Sequence, residues 1–99
     1  MTSFGDSIRR AREEKGLILR QVSAIVHIDQ AIISKFERGE RKPTKDQVLK
    51  FAKILKIDKD KLMIDWLSDK VIYELQDEPL AIEALQVAEE IIQNKKDIK

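Results

Sequence analysis

Lysine and arginine are the side chains this chain offers for chemistry in quantity. It has 19 of them among 99 residues, against one histidine, His27, and no cysteine. Without cysteine there is no disulfide framework, no thiolate nucleophile and no cysteine zinc site. A single histidine rules out a multi-histidine metal site. Asp and Glu number 18, but no pair sits where a fold argument brings it into a cleft, and no glycine-rich phosphate loop occurs. His27 alone reads as a turn residue rather than a catalytic base. The expectation is a non-enzyme that needs no metal and no cofactor. Residues 1–56 hold 13 Lys/Arg and 7 Asp/Glu, whereas residues 57–99 hold 6 and 11. The net charge of +1 therefore hides a basic half joined to an acidic half. That asymmetry predicts one surface for a polyanion and another for a different contact.

These charges need a frame. A hydrophobic share of 42% fills one small core, so one domain with an appended element is expected. No apolar run approaches the ~18 residues of a membrane span, and the N-terminus lacks a signal-peptide pattern. A cytoplasmic protein with no membrane contact follows. Apolar residues recur at spacings of three and four, which predicts roughly six helices and no sheet. The first spans about Ser3 to Lys15, capped by Thr2 or Ser3, with Phe4, Ile8 and Ala11 inward and Gly16 at its C-terminal turn. The second covers Leu19 to Val26 and the third Gln30 to Arg38, with Asp29 as N-cap and Gly39 closing it. Thr44 and Gln47 form a capping box for the fourth, whose stripe is Val48, Phe51, Ala52 and Leu55. Asp58 or Asp60 opens the fifth, which carries Leu62, Met63, Trp66 and Leu67 and is free to continue through Leu75. A sixth runs from about Pro79 to Asn94, and the tail Lys95–Lys99 is expected to fray.

Residues 17–44 are the informative segment. Two short helices flank a tight turn at about Val26–Ile28, and Ser23 and Ala24 are small enough for another helix to approach. This is the sequence form of a helix-turn-helix, whose first helix crosses the DNA backbone while the second lies in the major groove. The chain resembles the Cro/C1 (XRE) family of helix-turn-helix regulators over about residues 4–67. The carriers are Ile8-Arg9, Arg12-Glu13-Glu14-Lys15-Gly16-Leu17, Leu19-Arg20-Gln21-Val22-Ser23, Ile33-Ser34-Lys35-Phe36-Glu37-Arg38-Gly39-Glu40-Arg41 and Pro43-Thr44. The resemblance implies an all-α, five-helix, lambda-repressor-like DNA-binding domain over residues 1–67. Residues 68–99 are then a C-terminal helical extension.

The same resemblance places Gln30, Ala31, Ser34 and Lys35 where base edges lie. Their chemistry suits the place. Gln30 can pair with adenine N6/N7, Lys35 can donate to guanine O6/N7, and Ala31 can meet a thymine methyl. Arg20, Arg38, Arg41 and Lys42 are expected as phosphate contacts, which set register without reading sequence. Ile33 and Phe36 share the opposite face with Val22 and Ile28 as core, and Ile32 lies between the faces. Arg12 and Glu37 are implied to form a partly buried structural ion pair. Two departures from the family pattern matter. Ile18 stands where an N-capping Ser or Thr is usual, at a cost of ~1 kcal/mol. His27 stands where Gly is usual, and histidine tolerates a positive φ better than most residues.

The last helix carries two adjacent stripes, Leu80, Ala84, Val87, Ile91 and Ala81, Leu85, Ala88, Ile92. One stripe can cover the domain while the other meets a second subunit, with Leu85, Ile91 and Ile92 as the dimer contacts. The resulting expectation is a homodimeric repressor on a palindromic operator, with activation through RNA polymerase as an added capacity. Restriction–modification controller proteins, small phage repressors and antitoxins are all similar in size and pattern. The alternative is a protein-interaction module, such as an antitoxin, whose C-terminal helices bind a protein partner.

Overall fold

The computed structural model describes residues 2–97, and within them the chain forms six helices and no strand. They are α1 (Ser3–Glu14), α2 (Leu19–Val26), α3 (Gln30–Glu37), α4 (Lys45–Ile54), α5 (Lys59–Leu75) and α6 (Ala81–Asp97). The all-α fold expected from the helical periodicity is therefore the fold observed.

Helix α1 shows how local and distant residues combine to start an element. Thr2 is the N-cap, and its Oγ1 accepts from Gly5 N–H at 3.0 Å. Its carbonyl accepts from Asp6 N–H at 3.0 Å. The two remaining free donors of the first turn, Ser3 and Phe4, donate to the two carboxylate oxygens of Asp69 on α5, at 2.7 and 2.9 Å. The free N–H groups of the first three helical residues, Ser3, Phe4 and Gly5, are thus all satisfied. The negative Asp69 also complements the positive end of the helix dipole. One helical turn earlier on α5, the buried Asp65 accepts from Ser7 Oγ at 2.6 Å and pairs with Lys61 Nζ at 3.1 Å. Asp65 and Asp69 thus bind α5 to α1, and the contact reaches past residue 67.

Phe4, Phe36 and Phe51 meet edge to face at the centre of the core. Their ring centroids are 5.9 to 6.4 Å apart, and each ring comes from a different helix. Ile8, Val22, Val26, Ile33, Val48 and Leu62 complete the buried layer. Burying each such side chain contributes ~1.5–3 kcal/mol, and each aromatic pair adds ~0.5–1.5 kcal/mol. Gly5 permits the close approach of α1 to the end of α3, because a Cβ there would lie 2.5 Å from the Phe36 carbonyl oxygen. Gly39 combines φ +73° with a second near contact, to Thr2 Cγ2.

Helix α5 is continuous from Lys59 to Leu75, a length of about 25 Å. Its first half buries Leu62 and Trp66; beyond Asp69 its apolar residues Val71 and Ile72 are exposed. Helix α6 contains no buried residue at all. The expectation that one α6 stripe covers the domain is therefore corrected: both stripes face away from the core. The radius of gyration is 15.6 Å, against about 13 Å for a compact 100-residue domain, consistent with a helix that stands off. Pro79 and Leu80 form a turn rather than the first helical residues, and the helix starts at Ala81. The expected fraying is also corrected for Lys95–Asp97, which continue the helix; Lys95 and Lys96 suit the negative end of its dipole. Ile98 and Lys99 lie outside the described residues.

Candidate nucleic-acid interface

Helices α2 and α3 form a tight pair whose turn is set by one backbone conformation. His27 adopts φ 58° and ψ 40°, the left-handed region. Its N–H donates to Ser23 O at 2.9 Å, and Ser23 Oγ donates to Ile28 O at 2.6 Å. The small residue at 23 therefore acts through its hydroxyl. Its neighbour Ala24 is exposed, contrary to the expected role as a close-approach residue. Val22, Val26 and Ile28 bury the inner side of the turn. Asp29 then caps α3 by accepting from Ala31 N–H at 2.7 Å.

The start of α2 is held differently from the usual capped helix. Ile18 has no side-chain acceptor, so half of a capping box is missing. The other half is present: Gln21 Oε1 accepts from Ile18 N–H at 2.9 Å. Gln21 at the third helical position was the available sequence signal for this compensation.

At ~100° per residue, Gln30, Ala31, Ser34 and Lys35 occupy one arc of α3 about 140° wide. Gln30, Ala31 and Lys35 are exposed and Ser34 is half-buried, while Ile33, Phe36 and Glu37 are buried on the other side. Ile32 is partly buried and packs against the core. The four residues expected at base edges thus lie together on a solvent face, on a helix fixed by its buried side.

Glu37 ends that buried side and is only 8% exposed. It receives Arg12 Nε at 2.8 Å and Nη2 at 3.0 Å, and Arg12 Nη1 donates to the Leu17 carbonyl at 2.9 Å. One guanidinium therefore ties α1, the α1–α2 loop and α3 together. The hydrogen bonds to Glu37 hold the Arg12 guanidinium above its ordinary pKa, against the opposing effect of burial.

Arg20, Arg38, Arg41 and Lys42 are all exposed, but their states differ. Arg38 forms a two-pronged pair with Glu40, at 2.8 and 3.1 Å, and its Nη1 lies 2.5 Å from Ser34 Oγ. That contact raises the Arg38 pKa and lowers that of Glu40. Such an exposed pair is open to exchange with a phosphate. The Lys42 ammonium sits 3.2 Å from the centroid of the Tyr73 ring on α5. Trp66 anchors the same loop, its Nε1–H donating to Pro43 O at 3.0 Å. Sequence reasoning assigned no such partner to Tyr73. Arg20 and Arg41 make no salt bridge among the described residues.

A family model described as Helix-turn-helix matches residues 8–62, more than half of the chain. The chain belongs to the Cro/C1-type (XRE) helix-turn-helix family. Its α1–α5 unit carries the family's transcriptional-regulator fold, and the expected resemblance is established over the segment that holds the HTH pair. A relative, the HTH-type transcriptional repressor RghR of Bacillus subtilis (strain 168), is 38% identical over 64 residues. That alignment covers 64% of this chain and 47% of the relative, so the chain spans about half of the relative's length. No solved structure gives a significant match. No helix among the described residues is long and apolar enough to cross a membrane.

Proposed function

We propose that this helix-turn-helix family member is a sequence-specific DNA-binding transcriptional regulator of the cytoplasm, acting as a homodimeric repressor on a palindromic operator. The observation that carries the reading is the exposed α3 arc of Gln30, Ala31, Ser34 and Lys35 on a rigidly held helix. Arg20, Arg38, Arg41 and Lys42 supply the phosphate contacts around it, and blocking of RNA polymerase is the simplest outcome of occupancy. The related repressor supports the regulatory part of the reading. No cofactor or metal enters the mechanism, and no catalytic role is assigned.

Operator half-sites on one face of DNA lie about 34 Å apart, so two basic domains must be held together against their own repulsion. Leu85, Ile91 and Ile92, 37%, 52% and 56% exposed, supply apolar surface for that contact. The acidic character of this half keeps it away from the DNA. A DNA reader of this kind loses affinity steeply with salt and prefers one sequence. Titration of operator and scrambled duplexes across a salt series tests the reading; salt-insensitive binding, or equal affinity for both duplexes, would overturn it.

A second reading is favoured by the same exposed α6 faces. They equally suit a different protein, as in an antitoxin. Sedimentation of the isolated protein separates the two: a stable dimer supports the first reading and a monomer the second.

A further inference from the structure

A cavity of about 310 Å³ opens between the start of α1, the α3–α4 loop and the middle of α5. This is within the ~300–1,000 Å³ span of small-molecule sites. Its accessible aromatic lining is Tyr73 and part of Trp66, and the core residues Phe4 and Phe36, 2% and 1% exposed, border it. Its charged lining residues are Glu40, Arg41, Lys42, Asp69 and Lys70.

The two carboxylates are already committed to other groups. Asp69 accepts from Ser3 and Phe4 N–H at 2.7 and 2.9 Å, and Glu40 accepts from Arg38 at 2.8 and 3.1 Å. The three cations have no carboxylate partner among the described residues. Lys42 and Lys70 rest on the faces of Tyr73 and Trp66, at 3.2 and 3.8 Å from the ring centroids. Arg41 is exposed to solvent. The cavity therefore combines aromatic surface with three cations that lack a carboxylate partner among the described residues, against one lining carboxylate, Asp69, that is held by neutral N–H groups.

We propose that this cavity binds a small planar aromatic carboxylate. The ring of such a ligand packs on the aromatic walls, and its carboxylate gives the ammonium groups a better partner than a ring face. A neutral aromatic molecule leaves the cations as they are, and a bare inorganic anion leaves the apolar walls wet. Arg41 and Lys42 also belong to the phosphate-contacting set, so an occupied cavity withdraws positive charge from the DNA face and weakens DNA binding. That consequence rests on the proposed function; binding itself does not.

Trp66 is the sole tryptophan, so its indole N–H gives one signal in a proton–nitrogen correlation spectrum. The test is titration of 2-naphthoate into the labelled full chain. A saturable shift of the Trp66 indole and of the Lys42 and Tyr73 amides is expected, with α6 amides unmoved. Lys70→Gln, on an exposed side chain, should weaken binding at least about tenfold with an unchanged melting temperature. Equal shifts with 2-naphthamide or with inorganic phosphate would overturn the proposal. So would shifts without saturation, or shifts centred on Ile64 and Ile91. In a second arm, 2-naphthoate should raise the Kd for duplex DNA with wild type, and an unchanged Kd at saturation overturns the coupling to DNA.

Discussion

Arg12 on α1 and Glu37 at the end of α3 are joined by two N–H···O bonds of 2.8 and 3.0 Å, across 25 positions of sequence. The pair fixes α3 to α1, although neither residue lies on the exposed α3 arc. Glu37→Ala leaves a largely buried guanidinium without its partner and should cost about 3 kcal/mol. For a domain of this size that lowers the melting temperature by more than about 10 °C. Glu37→Gln should recover part of the loss, since an amide oxygen still accepts one N–H. A melting temperature close to wild type for Glu37→Ala would contradict this role.

His27 holds the turn at φ 58°. His27→Gly should be neutral or stabilising by up to about 1 kcal/mol, because glycine adopts this region without Cβ strain. His27→Val should destabilise by about 1–2 kcal/mol, because a β-branched side chain resists it. Chemical denaturation of the two variants checks the order; equal stability would be incompatible with the left-handed turn.

Burial works to raise the Asp65 pKa, but the hydrogen bonds from Ser7 and Lys61 and the Lys61 charge work the other way, and the net shift is downward. A folded-state pKa below the unfolded one gives stability that is present above about pH 4 and lost as pH falls through the lowered value. Asp65→Asn should therefore be less stable than wild type at neutral pH, with the gap narrowing in acid. Urea midpoints measured from about pH 7 to about pH 3 read this out. A constant gap across that range would mean that the carboxylate charge is not what holds α5 to α1.

If the proposed reading holds, Gln30→Ala and Lys35→Ala on the exposed α3 arc should each cost roughly 1–3 kcal/mol on the operator while leaving binding to scrambled DNA nearly intact. Equal losses on both duplexes would reassign these side chains to phosphate contact.

Truncation after Asp77 removes α6, which contains no buried residue. The shortened chain should keep its fold and melting temperature but sediment as a monomer with poor operator affinity. Leu85, Ile91 and Ile92 are each capable of contributing ~1.5–3 kcal/mol on burial, which together can hold a dimer at micromolar concentration. A truncated protein that stays dimeric at full affinity would move the interface to α5, where Ile64 and Leu67 are exposed.

Local chemistry made much of this molecule legible before its coordinates. The 3,4 spacing of Phe4, Ile8 and Ala11, and of Val48, Phe51, Ala52 and Leu55, specified which helix faces are buried, because a helix repeats every 3.6 residues. Asp29 and the Thr44–Gln47 box specified where α3 and α4 start, because the side chains that satisfy the free N–H groups are two or three residues away. The family pattern implied the Arg12–Glu37 pair and the composition of the exposed α3 arc.

What required the tertiary structure was every contact made by groups far apart in sequence. Asp69 reaches the start of α1 across 66 positions, and Asp65 reaches Ser7 across 58. Nothing in an i,i+4 pair of aspartates distinguishes such anchors from a solvated helix face. Lys42 and Tyr73, and Trp66 and Pro43, are brought together by the path of α5 past the α3–α4 loop. The fate of α6 was also beyond local pattern. A wide apolar face states that something must cover it, but whether that cover lies within the chain depends on where the turn at Pro79 sends the helix. Periodicity is a property of neighbours along the chain; the partner across a gap is set by packing directions that no single helix contains.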